Sequence, residues 1–217
     1  MTDAVKQPYR SRVREEAALR TRRLIRDAAT RLFVENGLGA TTMRQIAAAA
    51  GVADRTVYTA FPTKNALFKE ALDVATAGDE EPLSVAQRPD YMAIVEAPDP
   101  QTAVRLFAEH GTALLERVGD LLRAAYESAG SDPELRKWID EARDAMSTNM
   151  TSLATQWYQR GLFREGVDIE YAAATLYAVG GAFSHRALRH DLGRSVEQYT
   201  EWVAETLMRS LMRDDPL

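Results

Sequence analysis

The chain has 217 residues, of which 46% are hydrophobic, so it is long enough to bury a sizeable core. It contains no cysteine, which excludes disulfides, thiolate metal sites and cysteine nucleophiles. The net charge of −5 divides into +5 over residues 1–77 and −10 over residues 78–217. This division favours contact between the first segment and a polyanion. A chance difference in charge between helices fits it equally well.

Apolar residues recur at helical spacing along almost the whole chain, and no segment alternates with a period of two. The first apolar stripe runs from Ile25 to Phe33 and ends before Gly37, which tolerates the left-handed conformation of a helix C-terminus. Thr42 and Gln45 then have the spacing of a capping box, which begins a second, short helix. The pattern predicts an all-α protein of about nine helices.

The second and third helices have the spacing of a helix-turn-helix. The segment 45–52 is followed, after a short turn, by the segment 55–58. Ala47 is small enough to let the two helices cross closely, and Gly51 lies in the turn, where a left-handed backbone is needed. Val57 packs the second of these helices onto the first, so the opposite face is left to enter a major groove.

Beyond the fourth helix, which begins at Thr63, the segment 78–100 is broken by glycine and proline and is acidic. It reads as a linker with one short helix near residues 91–95. The helices predicted after it run from about Gln101 to Ser128 with a weak point at Gly119, from Pro133 to Gly161, from Asp168 to about His190, and from Ser195 onward.

Residues from about Arg22 to Ala71 resemble the N-terminal domain of the TetR family of regulators. The ordered match covers about a quarter of the chain, and it is far more specific than a helix-turn-helix alone. The remainder fits the family only in helix number and length. The residues that carry the resemblance are Ala28-Ala29, Leu32-Phe33, Gly37, Thr41 to Ala47, Ala50-Gly51-Val52, Thr56-Val57-Tyr58, Phe61 to Lys64, and Leu67-Phe68.

The resemblance implies a set of DNA contacts. Thr42, at a helix N-terminus, is expected on a phosphate, and Tyr58 and Lys64 are expected on phosphates as well. Arg44 is expected to reach the backbone or a base. The base readers are Arg55, Thr56 and Thr59, and a bidentate contact from an arginine to guanine is worth about 1–3 kcal/mol of discrimination.

Two positions depart from the family pattern. Ala53 stands where members often have a serine that caps the recognition helix, and Asp54 is the substitute available. Ala60 stands where many members have an aromatic residue or histidine. These differences mean that an operator sequence cannot be borrowed by analogy. A group of arginines precedes or opens the first helix, and it forms either an arm that enters the minor groove or a solvated tail. These residues are Arg10, Arg12, Arg14, Arg20, Arg22 and Arg23.

The last two helices are expected to form a homodimer, as the resemblance implies. Gly180 and Gly181 permit close approach of two backbones, while Phe183, Trp202 and Leu207 supply apolar area. The same faces also suit closure of the chain's own core. Dimerisation is favoured because two reading helices about 34 Å apart recognise a palindrome, and one short helix gives little specificity.

A pocket for a small-molecule effector is expected among the middle helices. Methionine and aromatic side chains suit an adaptable apolar site, although the same stripe suits a plain core. His110 is either a polar anchor for the ligand or a core histidine. The candidate residues are Phe107, His110, Tyr126, Trp138, Met146, Met150, Trp157 and Tyr177.

An enzyme is not expected, since no catalytic constellation or cofactor motif is visible. His185 and His190 are five residues apart, which does not place them on one face of an α-helix. No apolar stretch reaches the roughly 18 residues of a membrane span and no secretory signal is visible, so we expect a cytoplasmic protein.

The interpretation is a repressor with a basic arm in 1–20, a helix-turn-helix domain in 21–66 and a sensing and dimerisation domain in 67–217. A small apolar or amphipathic ligand would release it from a palindromic operator. The alternative is a DNA-binding regulator without a ligand, controlled by a partner protein or by abundance. About 140 residues beyond the reading head are more than a dimer seam needs, which favours sensing.

Overall fold

The structure is a computed structural model that describes residues 9–78 and 88–213, with side chains from residue 14 onward. Within those segments the chain forms helices and turns without a β-strand, and an isolated bridge joins Phe163 to Met212. The prediction of an all-helical fold is confirmed. The central part of the predicted linker, residues 79–87, lies outside the described residues.

The chain divides into two compact units, Met1–Asp73 and Val74–Leu217. This division falls within the fourth helix, later than the expected boundary at residue 66. The helices that make up the first unit are α1 (Tyr9–Asn36), α2 (Met43–Ala50), α3 (Asp54–Ala60) and most of α4 (Lys64–Ala77).

The first unit is held together by an apolar centre to which all four helices contribute. Phe33 of α1 and Phe68 of α4 meet edge to face, with ring centroids 5.4 Å apart. Ile46, Val57 and Phe61 are each fully buried. A core of this kind fixes α2 and α3 against α1 and α4, because buried side chains in a packed interior have few alternative arrangements.

The turn between α2 and α3 forms as the sequence predicts. Thr42 and Gln45 make the full capping box, with each side chain accepting the other residue's backbone N–H. Gly51 has φ 67°, and its N–H donates to the carbonyl of Ala48 at 3.2 Å. Ala47 is fully buried, which allows the close helix crossing that the motif requires.

Helix α1 extends further toward the N-terminus than expected. Residues 9–20, assigned to an arm or tail on sequence, continue the helix that contains residues 21–36. Arg14 and Arg20 are exposed on it. The rest of the predicted arm, residues 1–8, lies outside the described residues.

The second unit consists of long helices around one hydrophobic cluster. Its core includes Phe107, Leu153, Trp157 and Leu207, drawn from three helices. The helices are α5 (Pro89–Val95), α6 (Pro100–Ser128), α7 (Pro133–Gln159), α8 (Ile169–Val179), α9 (Ala182–Arg186), the π-helical segment (Ala187–Asp191) and α10 (Val196–Leu211). No helix among the described residues is long and apolar enough to cross a membrane.

The predicted helix from Asp168 to His190 is wrong as a single element, because the chain breaks between Gly180 and Gly181. A Cβ at Gly180 would lie 2.7 Å from the ring of Phe107, and one at Gly181 would lie 2.5 Å from the carbonyl oxygen of Tyr177. The two glycines are therefore required by packing within the chain. At Gly119, by contrast, the expected weak point is absent and α6 is continuous.

Candidate nucleic-acid interface

Helix α3 presents one buried and one exposed face. Val57 is 0% exposed, whereas Tyr58 is 56% exposed and Arg55 and Thr59 are also exposed. Thr56 is half-buried. The hydroxyl of Thr59 donates to the carbonyl oxygen of Arg55 at 2.8 Å, so its lone pairs remain for a donor outside the helix. None of the expected base readers is enclosed by the first unit.

An open groove of about 700 Å³ runs between α1 and α3. Alanines on both walls keep it wide, and the expected base readers form part of its lining. The residues that line it are Ala17, Ala18, Leu19, Thr21, Arg22, Ala53, Arg55, Thr56, Thr59 and Ala60. The groove places the N-terminal half of α1 beside the reading face of α3.

The N-terminus of α2 is capped by its own side chains. Thr42 is exposed, and its hydroxyl donates to Oε1 of Gln45 at 2.8 Å while its oxygen accepts the Gln45 N–H at 3.2 Å. Arg44 projects to solvent one residue inside the helix. A helix N-terminus with a neighbouring exposed arginine favours a phosphate, although the Thr42 hydroxyl and the N–H groups of Thr42 and Gln45 are already engaged.

The recognition helix lacks a side-chain cap, as the sequence indicates. At the N-cap position of α3 Ala53 makes no capping hydrogen bond, and Asp54 supplies a negative charge in the first turn. A carboxylate at that end stabilises the helix through its dipole. It also places negative charge at the helix end nearest the expected DNA.

Lys64 has contacts that differ from the phosphate contact implied by the resemblance. The half-buried ammonium donates to the carbonyl oxygens of Leu38 at 2.6 Å and Thr41 at 2.9 Å, and lies 3.4 Å from that of Gly39. These carbonyls belong to the loop between α1 and α2. Lys64 therefore fixes the loop that delivers Thr42 to the start of α2.

Sequence reasoning missed the role of Arg22, which had been grouped with the basic arm. Its guanidinium donates to the carboxylate of Glu70 and to the carbonyl oxygen of Ala60, and it stacks over the ring of Phe61 at 4.1 Å. Glu70 lies 48 residues further along the chain, so no local pattern pairs the two side chains.

The structure brings five of the eight candidate pocket residues into one cluster. Phe107, Met150 and Trp157 are buried in the core of the second unit, and Met146 and Tyr177 pack against it. Trp157 is 0% exposed, and its indole N–H donates to the carbonyl oxygen of Ile94 at 3.1 Å. These side chains form a packed core in this structure, which is the second of the two interpretations left open by the sequence.

The other three candidates lie elsewhere in the second unit. His110 is half-buried with its ring 6.5 Å from that of Tyr91, and burial lowers the pKa of His110. Tyr126 stacks on Phe183 with centroids 5.6 Å apart. Trp138 is half-buried. The structure therefore does not gather all eight side chains around one cavity.

A second feature missed by sequence reasoning is a polar cluster in which the buried His185 meets the exposed Glu116 and the half-buried Arg189. His185, 2% exposed, places Nε2 2.8 Å from Oε1 of Glu116, and the guanidinium of Arg189 donates to the same carboxylate at 2.7 and 2.9 Å. Burial lowers the pKa of His185, while the hydrogen bond from Arg189 is the main cause that lowers the pKa of Glu116 to about 2. The hydroxyl of Tyr199, which is also buried, adds a polar group to this part of the core.

The two histidines of this segment lie nearer than α-helical geometry allows. The rings of His185 and His190 have centroids 5.9 Å apart, because the π-helical turn brings residues five apart onto one face. The prediction that His185 and His190 do not share a helical face is therefore wrong. Among the described residues no group of three or more side chains is arranged to hold a metal ion.

The fold and the exposed face of α3 define a helix-turn-helix DNA-binding protein, and comparison with known proteins agrees. Residues 25–71 match the sequence model of the bacterial regulatory proteins of the tetR family. The fatty acid metabolism regulator protein of Bacillus subtilis (strain 168) is 28% identical over 156 residues, which make up 70% of this chain and 75% of that protein.

Solved structures of regulators share the fold over most of the chain. NalD, the secondary repressor of the MexAB-OprM multidrug efflux pump in Pseudomonas aeruginosa, is 26% identical with a TM-score of 0.68, and the match covers 92% of this chain and 99% of that one. The regulator FadR from Bacillus subtilis, in complex with stearoyl-CoA, is 22% identical with a TM-score of 0.66, covering 85% and 96%.

Residues 25–71 therefore match the DNA-binding domain of the tetR family, and the chain shares the fold of solved transcriptional regulators over most of its length. The similar proteins are regulators rather than enzymes, which agrees with the expectation of a DNA-binding transcriptional regulator.

Proposed function

We propose that the chain is a homodimeric repressor that binds a palindromic operator through α3 and is released by a small apolar or amphipathic ligand. The observation that carries the DNA-reading part is the outward face of α3, on which Arg55 and Thr59 are exposed while Val57 is buried beneath them. An arginine on an exposed recognition helix is suited to a bidentate contact with guanine.

The proposed DNA contacts are those named from the sequence, with one change. Thr42 and Tyr58 meet the phosphate backbone, Arg44 meets the backbone or a base, and Arg55, Thr56 and Thr59 face the bases. Lys64 acts through the loop that it anchors, because its ammonium is directed at the carbonyls of Leu38 and Thr41.

The proposed dimer forms through the last helices, and exposed apolar side chains there support it. Phe183 is 65% exposed, Leu192 67% and Trp202 37%, and all three lie in the segment from α9 to α10. Large apolar side chains left in water are typical of surfaces that a partner covers. A second copy is the occupant proposed, because two α3 helices are needed to read a palindrome.

Light scattering tests the dimer with one variant and a matched control. Leu192→Glu places a charge in the proposed seam and is expected to shift the mass from dimer toward monomer. Leu24→Glu is the control: it changes a leucine of α1 that is 48% exposed and lies outside the proposed seam, and it is expected to leave the mass unchanged. A wild-type monomer, or a Leu192→Glu dimer as stable as the control, contradicts the proposed seam.

The ligand proposal is supported by the aromatic and methionine content of the second unit and by what similar regulators bind. FadR of Bacillus subtilis was crystallised with stearoyl-CoA, and a regulator from Saccharomonospora viridis, 18% identical with a TM-score of 0.68, with choline. A site lined by Phe107, Met150 and Trp157 requires these packed side chains to separate when the ligand enters.

The ligand-free alternative is favoured by one observation, the complete burial of Trp157 and its hydrogen bond to the carbonyl of Ile94. Operator duplexes selected from a random pool distinguish the two. Stearoyl-CoA and choline, as probes of the amphipathic and cationic classes, are added at saturation while operator affinity is measured. A change of 5–150-fold, roughly 1–3 kcal/mol, supports sensing of that class. Unchanged affinity with both favours control by a partner or by abundance.

A further inference from the structure

The guanidinium of Arg22 joins three helices of the first unit at one point. From α1 it donates through Nε to both carboxylate oxygens of Glu70 on α4, at 2.9 Å each, and Nη2 donates to the same carboxylate. Through Nη1 it donates to the carbonyl oxygen of Ala60, the last residue of α3, at 2.6 Å. Its plane lies over the ring of Phe61, 4.1 Å from the centroid.

The contact with Ala60 gives the carbonyl group of the last residue of α3 a hydrogen-bond donor. The last carbonyls of a helix have no partner within it, and a cation at that end also interacts favourably with the helix dipole. Helix α3 has only seven residues, and no side chain caps its N-terminus at Ala53. Arg22 therefore supplies a terminal contact at the opposite end of the recognition helix.

Glu70 fixes the direction in which the guanidinium points. A carboxylate that accepts two or more N–H bonds from one guanidinium restricts the rotation of its plane, since fork-to-fork pairing is planar. Because Glu70 lies on α4, a displacement of α4 moves the carboxylate, and the guanidinium must follow it or lose the contact with Ala60.

Helix α4 is also held at its other end. In the second unit the Nε of Arg117, on α6, donates to the carbonyl oxygen of Ala75 in the last turn of α4, at 3.1 Å. One continuous helix thus carries the Glu70 contact near its middle and the Arg117 contact near its end.

We propose that Arg22 and Glu70 are positioning residues that set the orientation of the recognition helix according to the position of α4. The Arg22–Glu70 brace, meaning these two side chains with the carbonyl of Ala60, deepens the proposed function, since it names the step that passes a change in α4 to α3. Neither residue needs to touch DNA for this role.

Removal of the Glu70 charge distinguishes the brace from an effect of charge alone on DNA binding. Replacing a carboxylate by an amide near a polyanion strengthens DNA binding if charge alone matters. The brace predicts the opposite for Glu70→Gln, which leaves the guanidinium without its orienting partner. Asp73→Asn on the same helix is the matched control, because it removes the same charge from an exposed residue that pairs with the neighbouring Lys69 at 3.5 Å.

The first measurement is amide hydrogen exchange of the free full-length protein. Glu70→Gln and Arg22→Lys are expected to speed exchange in α3 about tenfold relative to wild type and to Asp73→Asn. Arg22→Lys keeps the charge but cannot form the fork. Equal exchange in α3 for all four proteins overturns the brace, and this result does not depend on DNA. If Glu70→Gln does not fold, Glu70→Asp, which withdraws the carboxylate, takes its place with the same expectation.

The second measurement is affinity for the selected operator and for an unrelated duplex. Glu70→Gln is expected to lose about tenfold in operator affinity, equal to about 1.4 kcal/mol, with less than a twofold change on the unrelated duplex. The double variant Arg22→Gln/Glu70→Gln is expected to lose no more than the worse single variant, because both act through one contact. Operator affinity that rises for Glu70→Gln as it does for Asp73→Asn overturns the brace.

The two proposals fail differently. If the wild-type protein prefers no duplex, the DNA-reading function fails, whereas faster exchange in α3 of Glu70→Gln still supports the brace. If the wild type prefers an operator and Glu70→Gln matches Asp73→Asn in both measurements, only the brace fails.

Discussion

Replacement of Lys64 by methionine distinguishes two possible roles of this side chain, contact with a DNA phosphate and anchoring of the loop between α1 and α2. Methionine keeps the length and the apolar stem but removes the ammonium that donates to the carbonyls of Leu38 and Thr41. Both of those residues are buried, so their carbonyls lose a charged donor that water replaces poorly. The bond of 3.4 Å to Gly39 is too long to add much.

The magnitude follows from those two bonds. A hydrogen bond to a charged group contributes roughly 1.5–3 kcal/mol, and the half-buried ammonium recovers part of that in water. We expect the loop between α1 and α2 to open about 2 kcal/mol more easily, which is roughly a 30-fold increase in local opening. Operator affinity falls because Thr42 is no longer held at the start of α2.

Amide exchange in residues 38–42 and the salt dependence of operator affinity are measured together. Lys64→Met is expected to raise exchange about 30-fold and to change the slope of log K against log salt by much less than one unit, whereas one lost phosphate contact lowers that slope by about 0.9. Lys69→Met, an exposed lysine on the same helix, is the control and is expected to leave loop exchange unchanged. Unchanged exchange in Lys64→Met together with a slope lower by about one would refute the anchoring role.

The remaining predictions concern the reading face, the helix break and pH. Arg55→Ala is expected to relax base preference at one operator position, at a cost of about 1–3 kcal/mol, and uniform weakening over all sequences would make Arg55 a phosphate contact instead. Gly181→Ala is expected to destabilise the protein by about 1–3 kcal/mol in chemical denaturation, because the added Cβ would lie 2.5 Å from a carbonyl oxygen. Gly111→Ala is the control: a Cβ there meets open space, and the substitution is expected to stabilise the protein slightly. The pKa of His185 is lowered by folding, so the unfolded chain binds this proton first as the pH falls. The free energy of unfolding should therefore decrease as the pH drops below about 6.5. The pKa of Glu116 near 2 should extend this decrease below pH 4.5. A free energy of unfolding that stays constant from pH 8 to 5 would contradict the assignment of His185, and one that shows no further loss between pH 4.5 and 2 would contradict that of Glu116.

Local patterns predicted the first unit well because its turns depend on neighbouring residues. The capping box of Thr42 and Gln45 and the left-handed Gly51 are fixed within a few residues of chain, and the structure has both. The exposed and buried faces of α3 follow from helical spacing around Val57 in the same way.

Contacts between distant residues were beyond the reach of the sequence. Arg22 lies among several arginines, and its partner Glu70 is separated from it by two helices and three connecting turns. Lys64 was predicted to contact a phosphate, and its binding of backbone carbonyls was missed because those carbonyls have no signature in the side-chain sequence. Lys64 was assigned to a phosphate and Arg22 to an arm or a solvated tail, whereas the structure directs both side chains at the protein.

The second unit shows a different limit. Periodicity identified the apolar faces correctly but gave no information on whether Trp157 lines a cavity or fills a core. It also predicted one continuous helix through Gly180 and Gly181. The break at these glycines depends on their packing against the ring of Phe107 and the carbonyl of Tyr177, which periodicity does not reveal.

The most direct test of the account is a crystal structure of the protein bound to its selected operator duplex. We expect two copies related by a twofold axis, their α3 helices about 34 Å apart in successive major grooves, with Arg55, Thr56 and Thr59 within hydrogen-bond or van der Waals distance of base edges. A complex in which α3 faces away from the duplex, or in which one copy binds with no second reading helix engaged, would contradict it.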